Sequence, residues 1–157
     1  MIFTATARKI NNSIIFSIPN EIAKKIPLAP GQKLSVIRIK QNLYQIVHHE
    51  DSKGYQAKVL KCGKYNNKIR YKMRIIGINI NDGDILCMAI INNKWYLRVL
   101  GPKTTIRIRK IEYIKNHYIR ISLPSSFFDK NIKYLIIEKK NNNIIIYPIK
   151  DFKNIFY

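Results

Sequence analysis

The sequence predicts a mainly β fold with a few short helices. Most segments alternate apolar and polar residues at period two, Asn-rich pairs punctuate the runs, and helical spacing is rare. Ala7-Arg8-Lys9-Ile10 opens a strand, and Ile14–Ile18, alternating at Ile14, Phe16 and Ile18, closes its hairpin after an Asn-Asn turn. Residues Asn20–Ile26 suit one or two helical turns, opened by Pro19 and stopped by Pro27. Val36–Lys40 and Tyr44–Val47 flank the turn Gln41-Asn42. Lys68–Arg74 alternates strictly. Asp84–Ile91 and Trp95–Val99 flank Asn92-Asn93. Ile106–Ile108, Tyr118–Leu123, Tyr134–Ile137 and Ile144–Tyr147 continue the pattern, with Asn141–Asn143 as a turn. Ser125–Lys130 is a second short helix, with Ser125 placed as its N-cap. Asn pairs between β-branched runs are hairpin signals, because Asn tolerates positive φ.

The elements recur at a spacing near 50 residues, which indicates repeated supersecondary units. Asn11 and Asn66 are 55 apart, Gly31 and Gly83 are 52 apart, and Ile18-Pro19 reappears 105 residues later as Leu123-Pro124. About three repeats result, over residues 1–53, 54–101 and 102–157, either separate or packed as one domain. A single repeat buries one face only and needs another to complete a core. A third repeat is then left over, to cap the fold or to pair with another chain as a homodimer.

Within the first repeat, Ala7-Arg8-Lys9-Ile10 precedes Ile18-Pro19-Asn20-Glu21-Ile22-Ala23-Lys24-Lys25, and Leu28-Ala29-Pro30-Gly31-Gln32-Lys33-Leu34 follows. This string resembles the AbrB/SpoVT/MazE group of swapped-hairpin proteins, with its "I-P-x-E-[IL]…L…G-[DQ]-x-[LV]" pattern. The likeness covers about 40 residues well. It extends to the second repeat through Asp82-Gly83-Asp84-Ile85-Leu86 and to the third through Leu123-Pro124. It implies a barrel of two interleaved halves and a DNA-binding role, as a regulator or an antitoxin. It also implies that Arg8 and Lys9, at a strand start, and Lys24, after the motif, touch DNA. Lys25 adds a neighbouring cation, whereas Ala23 stands where the family carries a second basic residue.

The charge balance points the same way independently. Among 157 residues, 29 Lys and Arg face 9 Asp and Glu, a net charge of +20. Ile (32), Asn (16) and Lys (21) are all favoured by AT-rich codons, so Lys richness alone means little. Asp and Glu codons are AT-rich too, so their scarcity is the informative fact. The excess is +5 over residues 1–53 (eight basic, three acidic), +7 over 54–101 (nine, two) and +8 over 102–157 (twelve, four). A folded chain that is basic throughout expects a polyanionic partner.

The sharpest local signal is Lys68-x-Arg70-x-Lys72-x-Arg74. On a strand these four side chains share one face, about 6.6 Å apart, near the phosphate spacing of a nucleic-acid backbone. Ile69, Tyr71, Met73 and Ile75 take the other face, while Lys58, Lys61 and Lys64 extend the basic patch. Arg107-x-Arg109 is a second stripe, with Lys110, Lys115 and Arg120 nearby. Such contacts position a duplex rather than read its bases. The Tyr residues interleave poorly with the cations, which argues against a single-strand stacking platform, and Trp95 is assigned to the core.

Enzyme signatures are absent: there is no G-x-S-x-G, G-x-x-x-x-G-K-[ST] or H-E-x-x-H. His48-His49 falls between repeats, and adjacent strand side chains point apart, so no metal or other cofactor is expected. Cys62 and Cys87 build no disulfide framework and fit a reducing compartment. No apolar run reaches 18 residues and no secretory leader is recognisable, so no membrane partner is expected. The expectation is a cytoplasmic, nucleoid-associated, non-enzymatic protein that binds double-stranded DNA mainly through phosphates, as a transcriptional regulator or chromatin-associated factor. The rivals are an RNA-binding ribonucleoprotein component and an antitoxin-like module with a protein partner; the short aromatic end Asp151–Tyr157 is suited to dock on such a partner or on the barrel.

Overall fold

The computed structural model describes residues 2–102, 106–110, 131–141 and 143–156. The expected strand Tyr118–Leu123, the helix Ser125–Lys130 and the cations Lys115 and Arg120 lie outside the described residues. The chain divides into two compact units, Met1–Lys103 with Phe156, and Thr104–Ile155 with Tyr157.

The first unit is mainly β, and its strands form one nine-stranded, nearly closed barrel-shaped sheet. In chain order they are β1 (Phe3–Thr6), β2 (Arg8–Ile10), β3 (Ser13–Ile18), β4 (Lys33–Lys40), β5 (Leu43–Val47), β6 (Tyr55–Tyr65), β7 (Lys68–Ile76), β8 (Asp84–Ile91) and β9 (Lys94–Pro102). The spatial order is β1-β8-β9-β5-β4-β6-β7-β3-β2. Its two ends, β1 and β2, are separated in the chain by Ala7 alone, so one short stretch of backbone bridges the open side. Ala7 is fully buried there.

The pairing map is unchanged when the first half of the unit is exchanged for the second. β3 pairs with β7 and β5 with β9, like with like. β4 of the first half reaches across to β6 (Lys33↔Lys58 to Val36↔Tyr55), and β8 of the second reaches across to β1 (Thr6↔Ile85 to Phe3↔Met88). Each half therefore lends a hairpin, β4–β5 or β8–β9, to the other. Neither half closes a core without that exchange.

The crossover points repeat bond for bond. The Ala7 N–H donates to the Asp84 carbonyl (2.8 Å) and the Gly83 N–H to the Ala7 carbonyl (2.8 Å). Fifty-two residues apart, the Val59 N–H donates to the Gln32 carbonyl (2.9 Å) and the Gly31 N–H to the Val59 carbonyl (2.7 Å). Each crossover is held by a side-chain staple. Gln32 Oε1 accepts the Ala29 N–H (3.1 Å), and Asp84 Oδ2 accepts the Asn81 N–H (3.1 Å). Gly31 and Gly83 sit at φ +81° and +83°, a left-handed conformation that costs other L-residues about 1–2 kcal/mol.

The turns follow the Asn signals. All seven non-glycine residues with positive φ among the described residues are Asn: 11, 42, 66, 67, 92, 93 and 141. Asn66-Asn67 and Asn92-Asn93 have positive φ at both positions, as a type I′ hairpin turn requires. The early helix is α1 (Asn20–Lys25), whose Ile22 and Ala23 N–H groups donate to the Pro19 carbonyl. It stops at an extended Ile26, because Pro27 disfavours a helical residue before it. Ile22 anchors it in the core.

The barrel core holds Ile14, Phe16, Leu34, Ile46, Met73, Ile75, Leu86, Met88, Trp95 and Leu97. Trp95 is buried as expected, and its Nε1 finds no hydrogen-bond partner among the described residues. Burial of Cys87 pushes its thiol up to about 12, partly offset by Arg98. The sequence pattern does not predict β1 or β6. Residues 55–65 contain Gly, Cys, Gln and three Lys, a weak β signal, and the strand exists because β4 and β7 pair with it on either side.

The second unit is a three-stranded antiparallel sheet of β10 (Ile106–Lys110), β11 (Tyr134–Lys140) and β12 (Asn143–Ile149), in that order. A 3-10 turn follows at Phe152–Ile155, where Asp151 Oδ1 accepts the Lys153 N–H (3.0 Å). Among the described residues, no helix is long and apolar enough to cross a membrane.

Candidate nucleic-acid interface

Four neighbouring strands, β6-β7-β3-β2, carry nine Lys and Arg and no Asp or Glu. The five remaining strands of the barrel carry five cations and Asp84. β7 alternates as the sequence predicts: Lys68, Arg70 and Arg74 are exposed and Lys72 is half-buried, while Met73 and Ile75 on the other face are fully buried.

Register decides which other cations join this stripe. Arg74 lies opposite Lys58 on β6 and opposite Ile15 on β3, and Ile15 lies opposite Arg8 on β2. Strands about 4.8 Å apart thus set Lys58, Arg74, Ile15 and Arg8 in one row across the outer face. The next row is Leu60, Lys72 and Ser17. Arg8 and Lys72 line one shallow depression with Ile15, Ser17 and Leu60. Arg70 and Lys72 line a second, with Ser17, Pro19 and Asn20 at the start of α1. Arg74 is held in place, because its Nε donates to Ser13 Oγ at 3.0 Å. Ser13 is itself buried, and the sequence held no signal for this contact.

The face ends beyond Arg74, where Lys33, Glu50, Asp51, Lys58 and Arg74 surround a further depression. Lys33 and Glu50 pair there at 3.6 Å with both side chains about three-quarters exposed, a contact worth little in water.

Other predicted residues fall elsewhere. Lys9 lies opposite the inward-facing Ile14, on the reverse face of β2 from Arg8, and its N–H donates to Asp82 Oδ1 (2.8 Å). Lys61 and Lys64 lie opposite Tyr71 and Ile69, so they do not extend the stripe as expected but face the reverse side of the hairpin. Lys24 and Lys25 are exposed in the last turn of α1, where cations suit the carbonyl end of a helix. Lys25 borders a depression with Ile26, Ile90, Asn92 and Asn93, none of them on the basic face. Arg107 and Arg109 belong to β10, in register with Ile137 and Leu135, in the second unit.

The stripe works against stability. Unit charges about 6.6 Å apart repel by roughly 0.6 kcal/mol per neighbouring pair in water before salt screening. Lys58 opposite Arg74 adds a like-charge cross-strand pair, which is also unfavourable. An arrangement that costs folding energy, and that meets carboxylates only at its Lys58–Arg74 end, suits an external polyanion. Among the described residues, no three His, Cys, Asp or Glu side chains gather as metal ligands would. No family model, no curated protein and no solved structure matches this chain.

Proposed function

We propose that this protein is a non-enzymatic binder of duplex DNA, a regulator or chromatin-associated factor of the AbrB/SpoVT/MazE kind in which one chain supplies both swapped halves. The observation that carries this reading is the outer face of β6-β7-β3-β2, four strands without a single Asp or Glu, where Arg8, Lys58, Lys68, Arg70, Lys72 and Arg74 stand together. The reciprocal lending of β4–β5 and β8–β9 supports the likeness to swapped-hairpin proteins. Binding is driven by phosphate neutralisation and counterion release, with sequence preference drawn from duplex shape. Association with the nucleoid follows from the same chemistry.

The test is a salt titration of binding to a 30-base-pair duplex and to a structured RNA at matched ionic strength. With about five to eight phosphates contacted, log affinity falls against log salt with a slope near −5 to −7. A flat salt response, or preference for the RNA, defeats the proposal.

A further inference from the structure

The hairpin β6–β7 outruns the barrel. β4 pairs with β6 only over Tyr55–Lys58, and β3 pairs with β7 only as far as Tyr71. Among the described residues, the ladder over Lys61–Tyr65 and Lys68–Ile69 joins these two strands alone, closed by the Asn66-Asn67 turn. Every side chain described over this stretch is exposed. The bulge between Lys61 and Lys64, with Gly63 at φ +84°, lets this part twist away from the sheet.

The charges of this ribbon lie on both of its faces. Lys68 and Arg70 continue the outer stripe, while Lys61 and Lys64 stand on the reverse face, opposite Tyr71 and Ile69. A ribbon lying against a single phosphate ridge needs cations on one face only. A ribbon set between two ridges needs them on both. The B-DNA major groove is about 12 Å wide and 8.5 Å deep and admits a two-stranded ribbon. The three residues Lys68–Arg70 plus the turn reach about 10 Å, enough to approach the groove floor.

Resting on the duplex-DNA reading above, we propose that the projecting turn end of β6–β7 inserts into the major groove of B-form DNA. Lys61 and Lys64 meet one phosphate wall, Lys68 and Arg70 meet the other, and the Asn66 and Asn67 amides reach base edges. Arg8, Lys72 and Arg74 on the barrel then grip the flanking backbone. The equivalent hairpin β2–β3 has no such extension, since β2 is three residues long and ends at Ile10. Among the described residues the barrel thus offers a single reader, and one chain takes a non-palindromic site. The deep, narrow major groove of A-form RNA excludes the ribbon.

The full-length protein is titrated with a 30-base-pair DNA duplex, with methyl green as major-groove competitor, netropsin as minor-groove competitor, and a duplex RNA of the same sequence. Lys61→Ser/Lys64→Ser and Lys68→Ser/Arg70→Ser are compared, each checked by circular dichroism. Both doubles are expected to lower affinity at least tenfold and to flatten the salt slope by about two. Methyl green competes, netropsin does not, and the duplex RNA binds at least tenfold more weakly. If only the Lys68/Arg70 double loses affinity, or only netropsin competes, groove insertion is overturned while DNA binding stands. If no DNA is bound at low salt, both readings fall.

Discussion

The hairpins β2–β3 and β6–β7 occupy equivalent places in the two halves of the barrel, yet they have opposite surfaces. Aligned on their Asn turns, Ser13, Ile15 and Ser17 of β3 correspond to Lys68, Arg70 and Lys72 of β7. The backbone pattern is common to both, and the inner positions of both are apolar: Ile14, Phe16 and Ile18 against Tyr71, Met73 and Ile75. Outside, strand β3 is neutral and strand β7 strongly basic. Ser13 is buried beneath Arg74, so the neutral copy supports the charged one instead of duplicating it. A barrel made by exchange needs both hairpins for its core, but only one has to meet a ligand. Packing constrains the inner face of each copy and leaves the outer face free to differ.

The largest expected effect breaks this difference outright. Changing Lys68, Arg70, Lys72 and Arg74 together to Ser makes β7 resemble β3. DNA binding should weaken by far more than for any single change, and the salt slope should flatten by up to about four. The melting temperature should change little, because relief of like-charge repulsion offsets the loss of the Arg74–Ser13 bond while Met73 and Ile75 keep the core face. The equal-charge control is Lys40, Lys53, Lys133 and Lys153 to Ser, all exposed and none of them on β6, β7, β3 or β2. Equal loss of affinity in that control would reduce the stripe to diffuse charge.

Cys62 and Cys87 give the next test, since one lies in the ribbon and the other in the core. Cys62 is exposed and should react with iodoacetamide in the native protein, with bound DNA slowing the reaction. Cys87 should react only after unfolding, because burial raises its thiol to about 12. The unfolded thiol ionises near 9.0, so the folded state binds more protons above that pH. Stability contributed by Cys87 is therefore complete below pH 9 and lost towards pH 12, and Cys87→Ala should blunt that alkaline loss in a melt series.

Smaller effects test the support of one hairpin by the other. Ser13→Ala removes the acceptor for Arg74 Nε and should cost about 1 kcal/mol of stability, with a modest fall in DNA affinity. Arg8→Ser should leave stability unchanged and flatten the salt slope by about one. The smallest contrast concerns the repeated crossovers. Gly31→Ala and Gly83→Ala should each cost about 1–2 kcal/mol, and by the same amount, since both hold the left-handed conformation and neither meets a close atom. Unequal costs would show that the two halves are not energetically matched.

The sequence alone determined the local elements. The Asn pairs placed the hairpin turns, because positive φ is cheap for Asn and costly for the β-branched residues around it. Strict alternation placed β7 and assigned Lys68, Arg70, Lys72 and Arg74 to one face, because strand geometry has a period of two. The recurrence of Gly31 at Gly83 marked two crossovers that share the same bonds. Tertiary structure decided what pairs with what. β6 has a weak β signal and became the longest strand only through two partners. Lys58 and Arg8 joined the stripe, and Lys61, Lys64 and Lys9 were turned to the reverse face, through cross-strand register, which no residue carries by itself. Whether a cation strengthens a face or balances its reverse depends on a one-residue shift in pairing, and that shift is fixed by the shared core of the two halves.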